Sequence, residues 1–326
     1  MPRAFVTGAN GFLGLNLVEQ LCARQWDVVG LYQPGTSTRY AEAFPITLVA
    51  GDVTERRQLE AAMPDAPDAV FHTAAMTSIW SRRNALQTRV NVTGTRHVAE
   101  VALAKGARRL VHTSTWNTFG MGRGAISETT PQSGARSWIN YVRSKALAEQ
   151  EVRRVGAEGL ATIILNPGHL IGRYDTRNWG RLIRMVHDGS LPGVPGVRSR
   201  FCHAEAVAGA HVAAAERGRP GETYLLPGVQ ASFREVLEAI GRRIGKPIPG
   251  RDLPTPLLRL VAQFKVLKAA VTGREPDLTP EGVALMTNDP EIVSDKAKRE
   301  LGYEPAALET MVADACDWMT RAGLLT

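Results

Sequence analysis

Cysteine is scarce in this chain: Cys22, Cys202 and Cys316 are the only three in 326 residues. So few, so scattered, they suggest neither a disulfide framework nor a zinc site, and no metal is expected. No apolar run approaches the ~20 residues that a membrane-spanning helix needs, so no span is expected. Aromatic residues make up 6% of the chain and no aromatic–basic recognition motif occurs among them. The net charge of +7 is spread along the sequence, which argues against a nucleic-acid partner and for a moderately basic surface that attracts anionic small molecules. The first apolar run begins at Ala4, leaving no room for a leader segment, and a cytoplasmic protein is the expectation. Internal repeats, low-complexity tracts and flexible linkers are also missing. A chain of this size, 44% apolar and 22% charged, can bury a substantial core as one large domain or a domain with a smaller lobe.

What is present is a rhythm. Short apolar runs occur at 4–6, 28–32, 47–49, 69–72, 110–113 and 161–165, with helical patterns between them, notably at 12–24, 84–104 and 138–154. Strand–helix alternation of this kind predicts an α/β fold, a doubly wound parallel sheet covered on both faces. After Pro167 the rhythm breaks. Residues 173–202 are rich in Gly, Pro and Arg and read as loops around a helix near 178–188. A helix near 204–216 and a strand at 223–226 read as a return to the sheet. Helical patterns at 232–245, 255–272 and 306–321 predict a smaller lobe interleaved with the sheet. Residues 255–272 mix apolar positions with Arg259, Lys265 and Lys268. An ordinary lobe helix with a solvated edge is the expectation, with an interfacial membrane helix as the alternative.

The chain opens on a glycine fingerprint, Thr7-Gly8-Ala9-Asn10-Gly11-Phe12-Leu13-Gly14, directly after an apolar run and before an amphipathic helix. In that context Gly8 permits a tight turn, Gly11 lets the backbone approach a pyrophosphate, and Gly14 allows close helix–sheet packing. The helix N-terminus then offers amide donors and a favourable dipole to phosphates. Further on, Tyr141 and Lys145 lie four residues apart in a helical stretch and project from one face. A cation beside a phenol stabilises the phenolate and lowers its pKa, so the pair can exchange a proton with an alcohol or carbonyl. Thr113-Ser114-Thr115 closes an apolar run upstream and supplies hydroxyls.

Together these residues resemble the extended branch of the short-chain dehydrogenase/reductase superfamily. That branch contains dihydroflavonol 4-reductase-like and 3β-hydroxysteroid dehydrogenase-like enzymes and the nucleotide-sugar epimerases and dehydratases. Gly51-Asp52-Val53 is similar to the turn that meets the adenine ring there, and Phe71-His72-Thr73-Ala74-Ala75 to the strand end beside the cofactor ribose. Asn91-Val92-Thr93-Gly94-Thr95 resembles a helix start of the branch, and Asn166-Pro167-Gly168 a loop flanking the nicotinamide. Gly221–Leu226 and Leu301-Gly302-Tyr303-Glu304-Pro305 resemble its C-terminal half. The resemblance implies a Rossmann domain at 1–168 with a return segment at 203–227, and a substrate-binding lobe formed by 169–202 and 228–326.

The resemblance also implies roles. Thr115 takes the position of the hydroxyl that polarises a carbonyl, with adjacent Ser114 as the alternative. Tyr141 is the acid/base, and Lys145 contacts the nicotinamide ribose and tunes Tyr141. The implied reaction interconverts a secondary alcohol and a ketone or aldehyde on a small organic substrate. A nucleotide-sugar epimerase and a non-catalytic NAD(P)-binding sensor are the alternatives. The sugar dehydratases' Asp-Glu pair is replaced by Trp116-Asn117, which disfavours 4,6-dehydration. Trp80, Trp116, Asn117 and His169 are substrate-pocket candidates. Arg198 and Arg200 read as solvated loop residues, and His203 as structural. The segment after the second strand, Tyr32-Gln33 through Arg39, has no carboxylate for a ribose 2′-hydroxyl, which favours NADP(H) over NAD(H). A homodimer is expected across the 84–104 and 138–154 helices, with Val98, Val101, Ala102 and Leu147 left for that surface.

Overall fold

The computed structural model describes residues 1–122 and 124–325. In chain order its first half runs β1 (Arg3–Thr7), α1 (Phe12–Ala23), β2 (Asp27–Tyr32), β3 (Thr47–Ala50), α2 (Arg56–Ala62), β4 (Ala69–His72), α3 (Asn84–Thr88), α4 (Thr95–Ala104), β5 (Arg109–Thr113), β6 (Ala125–Ile126), α5 (Asn140–Ala157) and β7 (Ala161–Pro167). Then follow β8 (His169–Ile171), α6 (Trp179–His187), β9 (Val194–Pro195), β10 (Arg198–His203), α7 (Ala204–Arg217), β11 (Thr223–Leu226), β12 (Val229–Ser232) and α8 (Phe233–Ile244). The chain closes with β13 (Asp252–Leu253), α9 (Thr255–Thr272), α10 (Pro280–Met286), β14 (Glu291–Ile292), α11 (Lys296–Leu301) and α12 (Leu308–Arg321).

Seven strands form one parallel sheet in the order β11-β7-β5-β4-β1-β2-β3. The residues of β4 are buried throughout and those of β7 almost throughout, which is why these segments read as continuous apolar runs instead of alternating ones. One core lies between the sheet, α1 and α7; another lies between the sheet, α4 and α5. The expected doubly wound α/β architecture is therefore the observed one. Sequential strands reverse their direction of travel between β1 and β4, which opens a crevice at the C-terminal edge. A third core joins α6, α8 and α12 through Trp179, Phe201 and Phe233. Helix α8 begins at a Ser232/Glu235 capping box and ends at left-handed Gly245, each satisfying backbone groups left open at that end of the helix.

Four features differ from the expectations. The 84–104 pattern is not one α-helix: residues Arg89–Gly94 form a π-helical turn between α3 and α4. There Asn91 accepts from Met76 N and donates to Ser144 Oγ, while a Cβ on Gly94 would come within 2.8 Å of Val53. The widened turn thus lets one segment reach two neighbours. Secondly, the 173–202 stretch contains strands as well as a helix. Arg198 and Arg200 lie on β10, and Arg200 is tied to the Pro290 carbonyl at 3.0 Å instead of being solvated. Thirdly, Val98, Val101 and Ala102 are spent inside the monomer's own core, so of the four residues assigned to a dimer surface only Leu147 is partly exposed. Lastly, α9 fully buries only Leu258, Ala262 and Ala269 and leaves Leu257, Leu260, Phe264, Leu267 and Val271 exposed. The structured helices α2, α10 and α11 have seven residues or fewer, too short for periodicity to reveal.

Candidate active site

Because every strand of the sheet points the same way, the residues that follow the strands collect at one edge. Gly8, just after β1, has φ +70, and a Cβ there would meet the Ala74 backbone at 2.9 Å. A Cβ on Gly14 would overlap the Gly8 carbonyl oxygen. Gly11 caps α1 with no side-chain hydrogen bond and no acid in the first turn, so the amides around Phe12 and Leu13 are left to an external anion. Asn10 donates to Thr36 Oγ1 and the Ser37 carbonyl, holding the loop after β2 against the glycine turn. In that loop Gln33 reaches Asp52 at 3.3 Å, and Asp52 also accepts from the Thr54 amide and hydroxyl. Tyr32 ends β2, Val53 is buried behind Asp52, and exposed Arg39 lies 5.5 Å above the Tyr40 ring. Thr73 bonds the Thr7 carbonyl and the Ala74 amide bonds the Thr7 hydroxyl, which places Thr73–Ala75 over Gly8.

The hydroxyl cluster stands at the ends of β5 and β7. Successive residues of an extended chain face opposite sides, and the hydroxyls of Ser114 and Thr115 separate accordingly. Ser114 Oγ donates to the Glu149 carboxylate at 2.5 Å. Thr115 Oγ1 accepts from the Asn117 backbone amide and from Asn117 Nδ2 at 3.1 Å, and its hydroxyl lies beside the Tyr141 phenol. Lys145 is buried, with Nζ 2.5 Å from the Thr113 carbonyl. Thr115 and Tyr141 are thus neighbours, while Lys145 grips the Thr113 carbonyl just behind them.

Burial moves the two titratable groups in opposite directions. It pushes the Tyr141 phenol up to about 12, opposed by the Thr115 hydrogen bond, and pulls the Lys145 ammonium down to about 8, opposed by the Glu149 carboxylate. Burial is the largest influence on the phenol, the Thr115 hydroxyl is the group that opposes it, and the resting phenol is protonated.

Two participants escaped the sequence reading. Glu149 has no exposed surface and accepts from Ser114, Thr118, Gln132, Asn166 and Arg153. Its signal was present, since it lies four residues past Lys145 as Lys145 lies four past Tyr141. Asn288, from the lobe, donates to Asn117 Oδ1 at 2.9 Å, and nothing in its surroundings in the chain marks it. Asn166 donates to the Thr115 carbonyl at 2.9 Å, leaving its own Oδ1 buried without a partner. Pro167 is buried beside it and Gly168 follows, pressed within 2.8 Å of the Arg200 carbonyl by any added Cβ. Of the pocket candidates, Trp116 packs against Phe119, Leu225 and Ile292. Trp80 is buried in the loop after β4 with Arg82 above its ring. His169 lies against Phe201 and Phe233, and burial pulls its imidazole down to about 4. His203 bonds Asp314 at 3.0 Å, tying β10 to α12.

Residues 4–226 match the NAD dependent epimerase/dehydratase family. The chain belongs to that family. It is 29% identical to sterol demethylase protein B of Methylococcus capsulatus, over 98% of this chain and 99% of that one. It is 30% identical to the 4-hydroxy-2-methyl-3-oxo-4-farnesyl-3,4-dihydroquinoline-1-oxide ketoreductase of Stigmatella aurantiaca, over 92% and 91%. The crystal structure of gox2253 superimposes with a TM-score of 0.83 at 30% identity, covering 99% of both chains. The protein is thus an extended short-chain oxidoreductase of the NAD-dependent type. Its glycine cradle, uncapped α1 and unpartnered Asn166 oxygen suit a dinucleotide.

The Glu149 network sets a stability test. Glu149→Leu leaves five donors facing an apolar side chain, and unsatisfied groups of this kind together cost about 3–5 kcal/mol. Urea unfolding is expected to show that loss, with Glu149→Gln intermediate. A Leu variant as stable as the parent would mean that the network is bridged by other means.

Proposed function

We propose that this family member interconverts a secondary alcohol and a ketone or aldehyde on a small organic substrate, with Tyr141 as acid/base. The observation that carries the reading is the gathering of Thr115, Tyr141 and Lys145 at the C-terminal edge of the sheet, with the Thr115 hydroxyl beside the Tyr141 phenol and itself oriented from behind. Asn288 orients the Asn117 amide, Asn117 fills a lone pair of Thr115 Oγ1, and the Thr115 proton is thereby aimed toward the phenol or a carbonyl placed beside it. Bound nicotinamide supplies or accepts the hydride. In the reducing direction Tyr141 delivers its proton to the carbonyl oxygen as the carbon gains the hydride. A phenol held near 12 is in the state that an acid needs. In this reading Lys145 contacts the cofactor ribose and steadies the phenolate left after proton transfer.

The two relatives are named for a sterol and for a farnesylated quinoline, which supports an apolar ring-bearing substrate. The aromatic surroundings of His169, formed by Phe201 and Phe233, support the same class. Cytoplasmic residence belongs to this reading. So does a homodimer across the outer faces of α3 and α5, where Leu86 is exposed and Leu147 partly so.

Tyr141→Phe keeps the ring volume and removes the hydroxyl. The expected result is unchanged cofactor affinity with turnover lowered by about 10²–10⁴-fold, measured with a reduced nicotinamide and a panel of ketones. Turnover within a few-fold of the parent, with chemistry rate-limiting, overturns the assignment. NADP(H) is expected to bind more tightly than NAD(H), because no carboxylate follows β2 and exposed Arg39 lies within that loop. Fluorescence titration tests this, and a tenfold preference for NAD(H), about 1.4 kcal/mol, reverses it. Light scattering at micromolar concentration is expected to give twice the 35.3 kDa chain mass; a monomer mass removes the dimer without touching the chemistry.

A further inference from the structure

Helix α9 is amphipathic in the opposite sense to a helix that completes a core. Its inward strip consists of Leu258, Ala262 and Ala269, two of which are among the smallest side chains available. Its outward strip consists of Leu257, Leu260, Phe264, Leu267 and Val271, exposed by 37%, 50%, 63%, 65% and 86%. Spacings of three and four residues align these five on one face along the whole helix. Single exposed apolar residues are ordinary on a protein surface, but a continuous stripe of this length marks an interaction site.

The charges around the stripe are of one sign. Residues 253–274 contain no Asp or Glu. Arg259 and Lys268 flank the stripe and Arg274 follows it, all exposed. The acids that bound this stretch, Asp252, Glu275 and Asp277, are engaged by Arg234, by Arg83, and by Lys265 and Arg181 respectively. A second copy of this chain would bring the same cations against each other with no carboxylate on the stripe to meet them. Five side chains are also a narrow contact beside the ~800 Å² per partner of a stable protein interface. An anionic lipid surface meets both demands at once, taking the apolar stripe below the headgroups and the cations among them.

We propose that α9 docks this protein peripherally on an anionic membrane surface. The helix is also coupled to the site side of the fold. Arg82 donates to the Ala270 carbonyl, Ser78 to Glu275, and Thr279 to the Ile79 carbonyl, so α9 braces the loop after β4 that carries Trp80. Docking by α9 brings that loop to the lipid surface. The proposal goes beyond the reaction above and does not depend on it.

Flotation of the purified full-length protein tests the proposal. The vesicles are phosphatidylcholine alone, or phosphatidylcholine with about one lipid in three replaced by phosphatidylglycerol. The protein is expected to float with the anionic vesicles, less with the neutral ones, and less as salt is raised. The double variant Phe264→Glu/Leu267→Glu is expected to lower partitioning by about tenfold or more. Arg259→Gln/Lys268→Gln is expected to remove about fivefold per charge on anionic vesicles only. Circular dichroism and cofactor binding should be unchanged, because these side chains are mostly in water. Should the glutamate pair disturb folding, Leu260→Gln/Val271→Gln tests the same stripe. Protein that stays unbound with both vesicle types, or an Arg259/Lys268 or stripe variant that floats like the parent, overturns the proposal. So does a stripe variant whose light-scattering mass falls to half, since that outcome assigns the stripe to a second copy.

Discussion

The arrangement of the site depends on one buried carboxylate. Glu149 has no contact with solvent, and a charge in such a place is tolerable only when its lone pairs are filled. The donors that fill them come from the segment after β5, the loop at Gln132, the end of β7 and the next turn of α5. Satisfying one anion therefore fixes four pieces of chain relative to each other. The consequence is felt at three consecutive residues. Lys145 holds the carbonyl of Thr113, Glu149 holds the hydroxyl of Ser114, and Asn166 holds the carbonyl of Thr115. Only the Thr115 hydroxyl is left facing the phenol.

The same burial decides the electrostatics. Desolvation disfavours charge on either group, so it raises a phenol and lowers an ammonium; here it takes Tyr141 to about 12 and Lys145 to about 8. Glu149 is the counterweight that keeps the lysine from falling further. Near neutral pH the pair therefore rests as a neutral phenol and an ammonium. Proton donation is available from that state.

Much of this was legible in the sequence, and the reasons for the rest are physical. The sheet was legible because strands buried on both faces leave unbroken apolar runs: the run at 69–72 coincides with β4, and 223–226 with β11. The glycine turn was legible because few arrangements other than a close backbone approach require glycine at those spacings. The choice between Ser114 and Thr115 was not, because adjacent residues of an extended chain face opposite sides and the chain alone does not say which side holds the carboxylate. Glu149 was visible as a third member of a four-residue series, but an acid on a helix is usually a solvated one. Asn288 joins Asn117 across 171 residues, and no local pattern encodes a contact of that range. The dimer residues failed for a related reason: Val98, Val101 and Ala102 were apolar enough for any buried face, and periodicity does not distinguish the monomer's own core from a partner's.

These cases divide along the fold. The parallel sheet delivers Gly8, Gln33, Asp52, Thr73, Ser114 and Asn166 to one edge by topology alone, so the side proposed for the cofactor is specified by strand ends, and strand ends are what a sequence marks best. The side proposed for the substrate is assembled from separate segments after residue 168, in which β8 pairs with β10 and Asn288 returns to Asn117. A parallel sheet can keep its edge while such segments change, because they contribute side chains without setting the strand order. The chemistry is therefore carried by the part of the chain that the fold constrains most. The part it constrains least, with α9 turned outward, is free to determine what reaches that chemistry and from where.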